Sequence, residues 1–348
     1  MVINNYFLFF IIITFIILTA VFSENGKILL PVKHKEVFIL DNTTNYPLSV
    51  KVKENRIINS NGKSIIFKGL MPADPARLHN LNKFNKKFFV KIKRTGANIV
   101  RIPVHPENWV KDKDYLWRYL DPIVKWAGEL DMYVIIDWHY IGNISNGVGQ
   151  NMPDIETSPQ RLTSSFWNKT SAYFREAPHV LFEIYNEPAS ISNTKWIKNA
   201  NRIINIIRIN GEEQIIIVGG TQYGKNISWA RDKKIKDNNI VYASHIFPTH
   251  QESTWNYFFG EIAKEIAKMY PVLITEWGFI DEDSSKTNKS YLIGNSENYG
   301  KPLLEYLKDR NIGWIACWYD NNWDPQIFEE DFNQLTNYGE FIINHLNN

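Results

Sequence analysis

Two carboxylates stand where apolar segments run out: Glu187 follows Asn186 in "FEIYNEPAS" (182–190), and Glu276 sits near the end of "VLITEWG" (272–278). Glutamate is almost never fully buried unless it is paired, so such a residue has either left the core or is held there for chemistry. A facing pair of carboxylates suits cleavage of a glycosidic bond. One, protonated, assists the departing oxygen, and the other supports the oxocarbenium-like carbon. A separation of about 5–5.5 Å gives retention and a wider one gives inversion. Metal binding is the rival chemistry wherever Glu and His occur together. Here the histidines fall in separate segments and no H-E-x-x-H spacing occurs, so no metal is expected.

Other polar residues interrupt apolar runs in the same way. Arg101 lies in "ANIVRIPV" (97–104), His139 ends "YVIIDWH" (133–139), His245 lies in "IVYASHIF" (240–247), and Trp318 in "IGWIACWY" (312–319). Taken singly, each has an ordinary structural reading: an ion pair, a satisfied histidine, a helix cap, a core indole. Together they place the polar positions of six segments at C-terminal ends, which packing alone does not explain. In a closed parallel barrel those ends meet at one mouth, where active sites form.

The segments themselves support that architecture. Eight short apolar runs begin near residues 64, 97, 133, 180, 214, 240, 272 and 312, and they read as strands buried on both faces. Amphipathic stretches lie between them at 84–95, 116–131, 160–176, 195–210, 255–269, 299–310 and 335–346, with a weaker one at 223–237. The expectation is an α/β chain folded as a (β/α)8 TIM barrel. A doubly wound open sheet would carry a glycine-rich phosphate turn after its first strand, and "KGLMPADPA" is not one. Before the barrel, Asn61-Gly62 is a hairpin signal, so a short N-terminal β-hairpin extension is expected over the barrel floor. Residues 60–348 contain no repeat, low-complexity tract or linker and read as one catalytic domain, with an extension at 24–59.

Composition narrows the function. The 348 residues carry a formal charge of +2, too little to argue for nucleic acid. Aromatics make up 14% of the chain, including 12 Trp, which fits stacking on sugar rings as well as core packing. Cys317 is the one cysteine and lies in an apolar run, so neither an intrachain disulfide nor a cysteine metal site is expected. Tyr6 to Phe22 is almost continuously apolar, and Val21 and Ser23 suit a cleavage site, so residues 1–23 read as an export signal or membrane anchor and the product as secreted. Asn-x-Ser/Thr sites begin at Asn42, Asn143, Asn168, Asn226 and Asn288.

The motifs "NIVRIPVHP", "YVIIDWHY", "FEIYNEP", "YASHIF", "ITEWG" and "CWYDNNW", in this order, resemble glycoside hydrolase family 5, the retaining endo-β-glycanases, over essentially the whole chain from residue 60. The resemblance implies a cellulase-like enzyme acting on internal β-1,4-glucosidic bonds without a cofactor. β-Mannanase, mixed-linkage glucanase and xyloglucanase activities, or glycan binding alone, are the alternatives. It assigns the acid/base to Glu187, the nucleophile to Glu276 and the orienting cation to Arg101. Asn186 would bind the 2-hydroxyl, His139 and His245 would line the reacting subsite, and Trp318 would be its sugar platform. The raised pKa needed by Glu187 is expected from the neighbouring Glu276 charge, and Trp138, Trp109 or Trp323 would each either extend the stacking surface or belong to the core. A β-glucan is the expected partner, bound by a monomer. One position departs: the family has His-x-Tyr after the sixth strand, where the tyrosine contacts the nucleophile, and this chain has Phe247.

Overall fold

A computed structural model describes residues 35–148, 157–211, 213–232, 235–248, 263–281 and 289–347, with two further strand fragments, Val21–Phe22 and Ile28–Leu29. Most of the expected leader, the first half of the 255–269 helix and the Asn288 site lie outside the described residues.

Eight parallel strands close into a barrel in sequential order. They are β1 (Lys68–Pro72), β2 (Ile99–Val104), β3 (Tyr133–Trp138), β4 (Val180–Glu183), β5 (Ile216–Gly219), β6 (Ile240–Ile246), β7 (Val272–Trp277) and β8 (Gly313–Tyr319). Side-chain parity sorts their residues into two cores. Ile99, Ile135, Leu181, Ile217, Leu273 and Ile315 fill the barrel. Val100, Ile136, Phe182, Val218, Ile274 and Ala316 point outward beneath the helices. Both faces are therefore apolar, which is why the runs show no alternation in sequence.

The helices lie close to their expected places: α1 (Lys86–Arg94), α2 (Asp121–Glu129), α3 (Pro159–Phe174), α4 (Asn193–Ile209), α5 (Ala263–Met269), α6 (Lys301–Asp309) and α7 (Asn337–Leu346). Several begin on a side-chain cap. The oxygens of Asn85, Ser158, Ser192 and Thr336 each accept a backbone N–H of the first turn. The weak pattern at 223–237 forms only a 3-10 turn, Ser228–Asp232. Among the described residues no helix is long and apolar enough to cross a membrane.

The floor differs from expectation in its details. A hairpin is present, but its strands are Val50–Lys53 and Arg56–Asn59, turned at Glu54, whose φ is 58°. Asn61-Gly62 makes the next turn instead, returning the chain so that Ser64 bridges Ile58. Residues 64–66 are thereby claimed by the hairpin, and β1 starts at Lys68 rather than 64. Val50 and Ile57 close the barrel bottom against Phe67 and Tyr133. Two of the Asn-x-Ser/Thr sites are also internal: Asn143 and Asn226 are 7% and 9% exposed, and the Asn143 amide donates to the Ser190 carbonyl at 2.7 Å.

Gly69 marks a close strand contact near the barrel floor. It pairs with Ile99, and a Cβ there would lie 2.3 Å from the Ile99 carbonyl oxygen. Gly69→Ala should therefore destabilise by about 1–3 kcal/mol through forced backbone movement. Thermal unfolding followed by circular dichroism checks this, and an unchanged midpoint would mean that β1 and β2 part without cost.

Candidate active site

Arg101 shares its parity with Ile99 and so points into the barrel, where it is fully buried. Its Nε donates to Glu183 Oε2 at 2.6 Å, Nη1 to Glu276 Oε1 at 2.7 Å and Nη2 to Asn186 Oδ1 at 2.8 Å. Asp137 Oδ2 lies 3.1 Å from Nη2. Burial pulls the guanidinium pKa down, but Asp137, Glu183 and Glu276 together carry it above its ordinary value. One cation thus faces three carboxyl groups. Burial pushes Asp137 up to about 7 and also raises Glu183, with Arg101 drawing each partway back. Asp137 Oδ1 and Glu183 Oε1 are buried without a hydrogen-bond partner.

Asp137 and Glu183 are not among the expected site residues, although each is an acid that interrupts an apolar run. Their positions carried a signal: Asp137 keeps step with Ile135 and Glu183 with Leu181, on the barrel-filling parity. The two are paired across β3 and β4. Asp137 also meets His139, Oδ2 to Nδ1 at 2.5 Å. Burial holds the His139 pKa down at about 3, so its imidazole is neutral, and the ring stacks on His105 at 4.7 Å.

Glu276 reaches the barrel interior through an irregularity. Ser244 pairs with Ile274 but His245 pairs with Glu276, so Thr275 is an extra residue on β7. Strict alternation would send Glu276 outward with Ile274, and the bulge reverses it. A second bulge acts at β8, where Cys317 pairs with Met71 and Tyr319 with Pro72, leaving Trp318 unpaired in the ladder. Its indole meets His139 edge-on at 5.7 Å and Trp323 at 4.9 Å.

Glu187 lies four residues beyond the end of β4 rather than on it. Its N–H donates to the Tyr140 carbonyl at 3.1 Å, and Glu187–Pro188 pairs in parallel with Ile141–Gly142. The two strand extensions thus hold the carboxylate over the mouth. His245 Nδ1 is 2.9 Å from Glu187 Oε1, 3.7 Å from Glu276 Oε2, and its Nε2 meets Thr275 Oγ1 at 3.1 Å. The Glu187 pKa is raised to about 7, and burial is the cause, with Arg101 and Lys225 opposing it. The expectation that the Glu276 charge supplies this shift is corrected: desolvation does.

These groups open on a cleft of about 660 Å³. His139, Asn186, Glu187, Glu276 and Trp318 line it with Tyr223, Lys225, Phe247 and Tyr291, while Arg101 and His245 stand behind the carboxylates. Donor atoms of Glu187, His245 and Glu276 lie within 4.8 Å of one another, a spacing a metal ion could use. Both ring nitrogens of His245 are already engaged, however, and neither is left free as a ligand. Of the candidate stacking aromatics, Trp138 is a core residue, fully buried and bonded through Nε1 to Thr163. Trp109 packs on Phe166 and Tyr115, away from the cleft lining. Trp323 stays near the mouth, against Trp318, His105 and the Arg77 guanidinium.

A family model described as Cellulase (glycosyl hydrolase family 5) matches residues 59–324. An endoglucanase of Clostridium saccharobutylicum is 27% identical over 279 residues, covering 78% of this chain and 57% of its own length. Cellulase CelDZ1 of a Thermoanaerobacterium species is 27% identical over 286 residues, covering 75% of this chain and 69% of its own. The chain therefore spans little more than half the length of the clostridial relative. Among solved structures, β-glucanase SdGluc5_26A from Saccharophagus degradans, in complex with cellotetraose, superposes with a TM-score of 0.83 at 23% identity, over 90% of this chain and 97% of that one. The catalytic domain of Thermobifida fusca endoglucanase Cel5A gives 0.71 at 17% identity, over 86% and 97%. These likenesses show the barrel fold.

The burial of Glu187 has a price in stability. Its pKa rises from 4.5 to about 7 on folding, so the folded state holds a proton that the unfolded state has lost between those values. Its contribution is favourable below pH 4.5, is lost as pH rises through 7, and leaves a buried charge above. Glu187→Gln should thus stabilise the protein by roughly 1–3 kcal/mol at pH 8 and hardly at pH 4. Urea unfolding at the two pH values checks it. An equal effect at both would show that Glu187 is solvated.

Proposed function

This chain belongs to glycosyl hydrolase family 5, and on that footing we propose that it is an endo-β-1,4-glucanase working by double displacement with retention. The observation that carries the reading is the contrast between two carboxylates whose oxygens come within 4.8 Å. Glu276 is hydrogen-bonded by a guanidinium at 2.7 Å, whereas Glu187 meets an imidazole whose pKa burial lowers and has its own pKa pushed up to about 7. Environments that push two carboxyls apart are what an acid and a nucleophile require. Their short separation leaves no room for the water that an inverting enzyme places between them.

In this reading Glu276 attacks the anomeric carbon and Glu187 protonates the departing glycosidic oxygen. A glycosyl-enzyme forms, and Glu187, now ionised, takes a proton from the water that releases it. Arg101 fixes the Glu276 oxygen that does not attack. Asn186 accepts from Arg101 through Oδ1, which leaves its amide NH2 to donate to the sugar 2-hydroxyl. Trp318 offers a face to the sugar at the reacting position, and no cofactor takes part. The β-1,4-glucan preference is supported by the relatives, an endoglucanase and a cellulase. Export is supported by the apolar run before residue 23.

Soluble cellulose should yield new reducing ends faster than mannan or xylan does, and Glu276→Ala and Glu187→Ala should each lower kcat by a factor of roughly 100–10,000. A Glu276→Ala enzyme keeping a tenth of the activity would remove it from the nucleophile's role. The anomer released first, followed by proton NMR on a cellooligosaccharide, should be β. An initial α product means inversion and ends the double-displacement scheme.

A further inference from the structure

The cleft carries an aromatic hydroxyl that the scheme above leaves unused. Tyr291 lies on the short 3-10 turn Ser290–Leu292, between β7 and β8, and reaches the same cleft as Glu187 and Glu276. The turn is anchored. The Ile280 N–H donates to the Leu292 carbonyl at 2.8 Å, the Gly294 N–H to the Ile280 carbonyl at 2.9 Å, and Leu292 is 1% exposed. The phenol ring stands edge-on to Phe247 at 5.7 Å and 79°, so the wall formed by β6 sets its direction. Yet 44% of Tyr291 remains exposed, which marks it as a cleft-facing side chain rather than a core one.

The carboxylates differ in what already bonds them. Glu276 has Arg101. Among the described residues, the Glu187 carboxylate has one hydrogen-bonding neighbour, the His245 ring nitrogen on Oε1. During bond cleavage Glu187 loses its proton and becomes an anion, and nothing described bonds its other oxygen. Phe247, on the adjoining strand end, has no hydroxyl to give. The charged residues that line the cleft with Tyr291 are Glu187, Glu276, Asp324, Lys225 and Lys289. After burial, Glu187 is the largest influence holding the Tyr291 phenol up at about 12, ahead of Cys317, Glu276 and Asp324. The hydroxyl therefore stays protonated throughout the working range and acts as a donor.

We propose that Tyr291 is a positioning residue for the acid step, its O–H donating to the Glu187 carboxylate as that group surrenders its proton to the leaving oxygen. The proton itself passes from Glu187 to the glycosidic oxygen, and Tyr291 keeps its own. The inference rests on Glu187 being the acid/base.

Aryl β-cellobiosides separate this role from its rivals. A 2,4-dinitrophenolate leaves without protonation, whereas an unactivated phenol or a glucose unit needs the acid. Tyr291→Phe keeps the ring and deletes only the hydroxyl. It should lower kcat/KM on phenyl β-cellobioside and cellotetraose by roughly 10- to 100-fold, the worth of one hydrogen bond to an ion. On 2,4-dinitrophenyl β-cellobioside kcat/KM should change less than twofold. Equal losses on both substrates would place the hydroxyl on Glu276 or on the sugar and overturn the proposal, as would no loss on either. Glu187→Gln measured alongside keeps the premise distinct. If that variant shows no dependence on the leaving group, the acid assignment has failed, whatever Tyr291 does.

Discussion

Burying the Arg101 guanidinium costs several kcal/mol unless its charge is met, and removing a partner from such a group is worse than never having had it. The upper barrel is arranged around that constraint. Asp137, Glu183, Glu276 and Asn186 come from three adjacent stretches of wall and one distant strand, and each spends an oxygen on the same cation. The geometry of the Glu276 carboxylate is thus tied to the packing of β2, β3 and β4. A change in any of those strands is transmitted to Glu276 through a rigid fork and not through a flexible side chain. Because three carboxyls share one cation, the arrangement tolerates ionisation of all of them poorly, and burial raises the pKa values of Asp137 and Glu183.

The barrel alone would not present this site. Strand alternation is strict, and a residue that keeps step with Ile274 belongs among the helices. Single-residue bulges at Thr275 and Trp318 break step where Glu276 and the Trp318 indole are turned to the cleft. The candidate acid is freed differently, by letting the chain run past the last ladder bond of β4 and lean on the extension of β3. Regular structure supplies rigidity here, and its local failures supply aim.

The sequence disclosed the barrel and the mouth because both depend on composition. Apolar runs of strand length and the polar residues that end them are visible without any knowledge of pairing. What it hid depends on register. Asp137 and Glu183 were readable as barrel-filling positions only once their parity with Ile135 and Leu181 was counted. The bulges leave no mark in residue type, since Thr275 and Trp318 would suit an ordinary strand. The choice between mouth and core for Trp138 depends on register too: it lies one residue from His139, and one residue is a change of face. β1 starts later than its apolar run because Ser64 and Ile65 suit a strand equally well in the barrel or in the hairpin below it. The cause of the Glu187 shift was hidden too, for desolvation is a property of the surroundings and not of the neighbour in sequence.

Asn143 and Asn226 give the fold a bearing on where the chain can be made. Oligosaccharyl transfer acts on the nascent polypeptide, before either asparagine is covered, and it recognises only the local tripeptide. A glycan fixed to Asn143 would occupy the space in which its amide meets the Ser190 carbonyl, beside the extension that carries Glu187. One on Asn226 would spread beneath the turn that presents Tyr223 to the cleft. The folded shape is therefore compatible with synthesis where the transferase is absent or passes these two asparagines by, and a glycosylating production host is a hazard to the cleft itself.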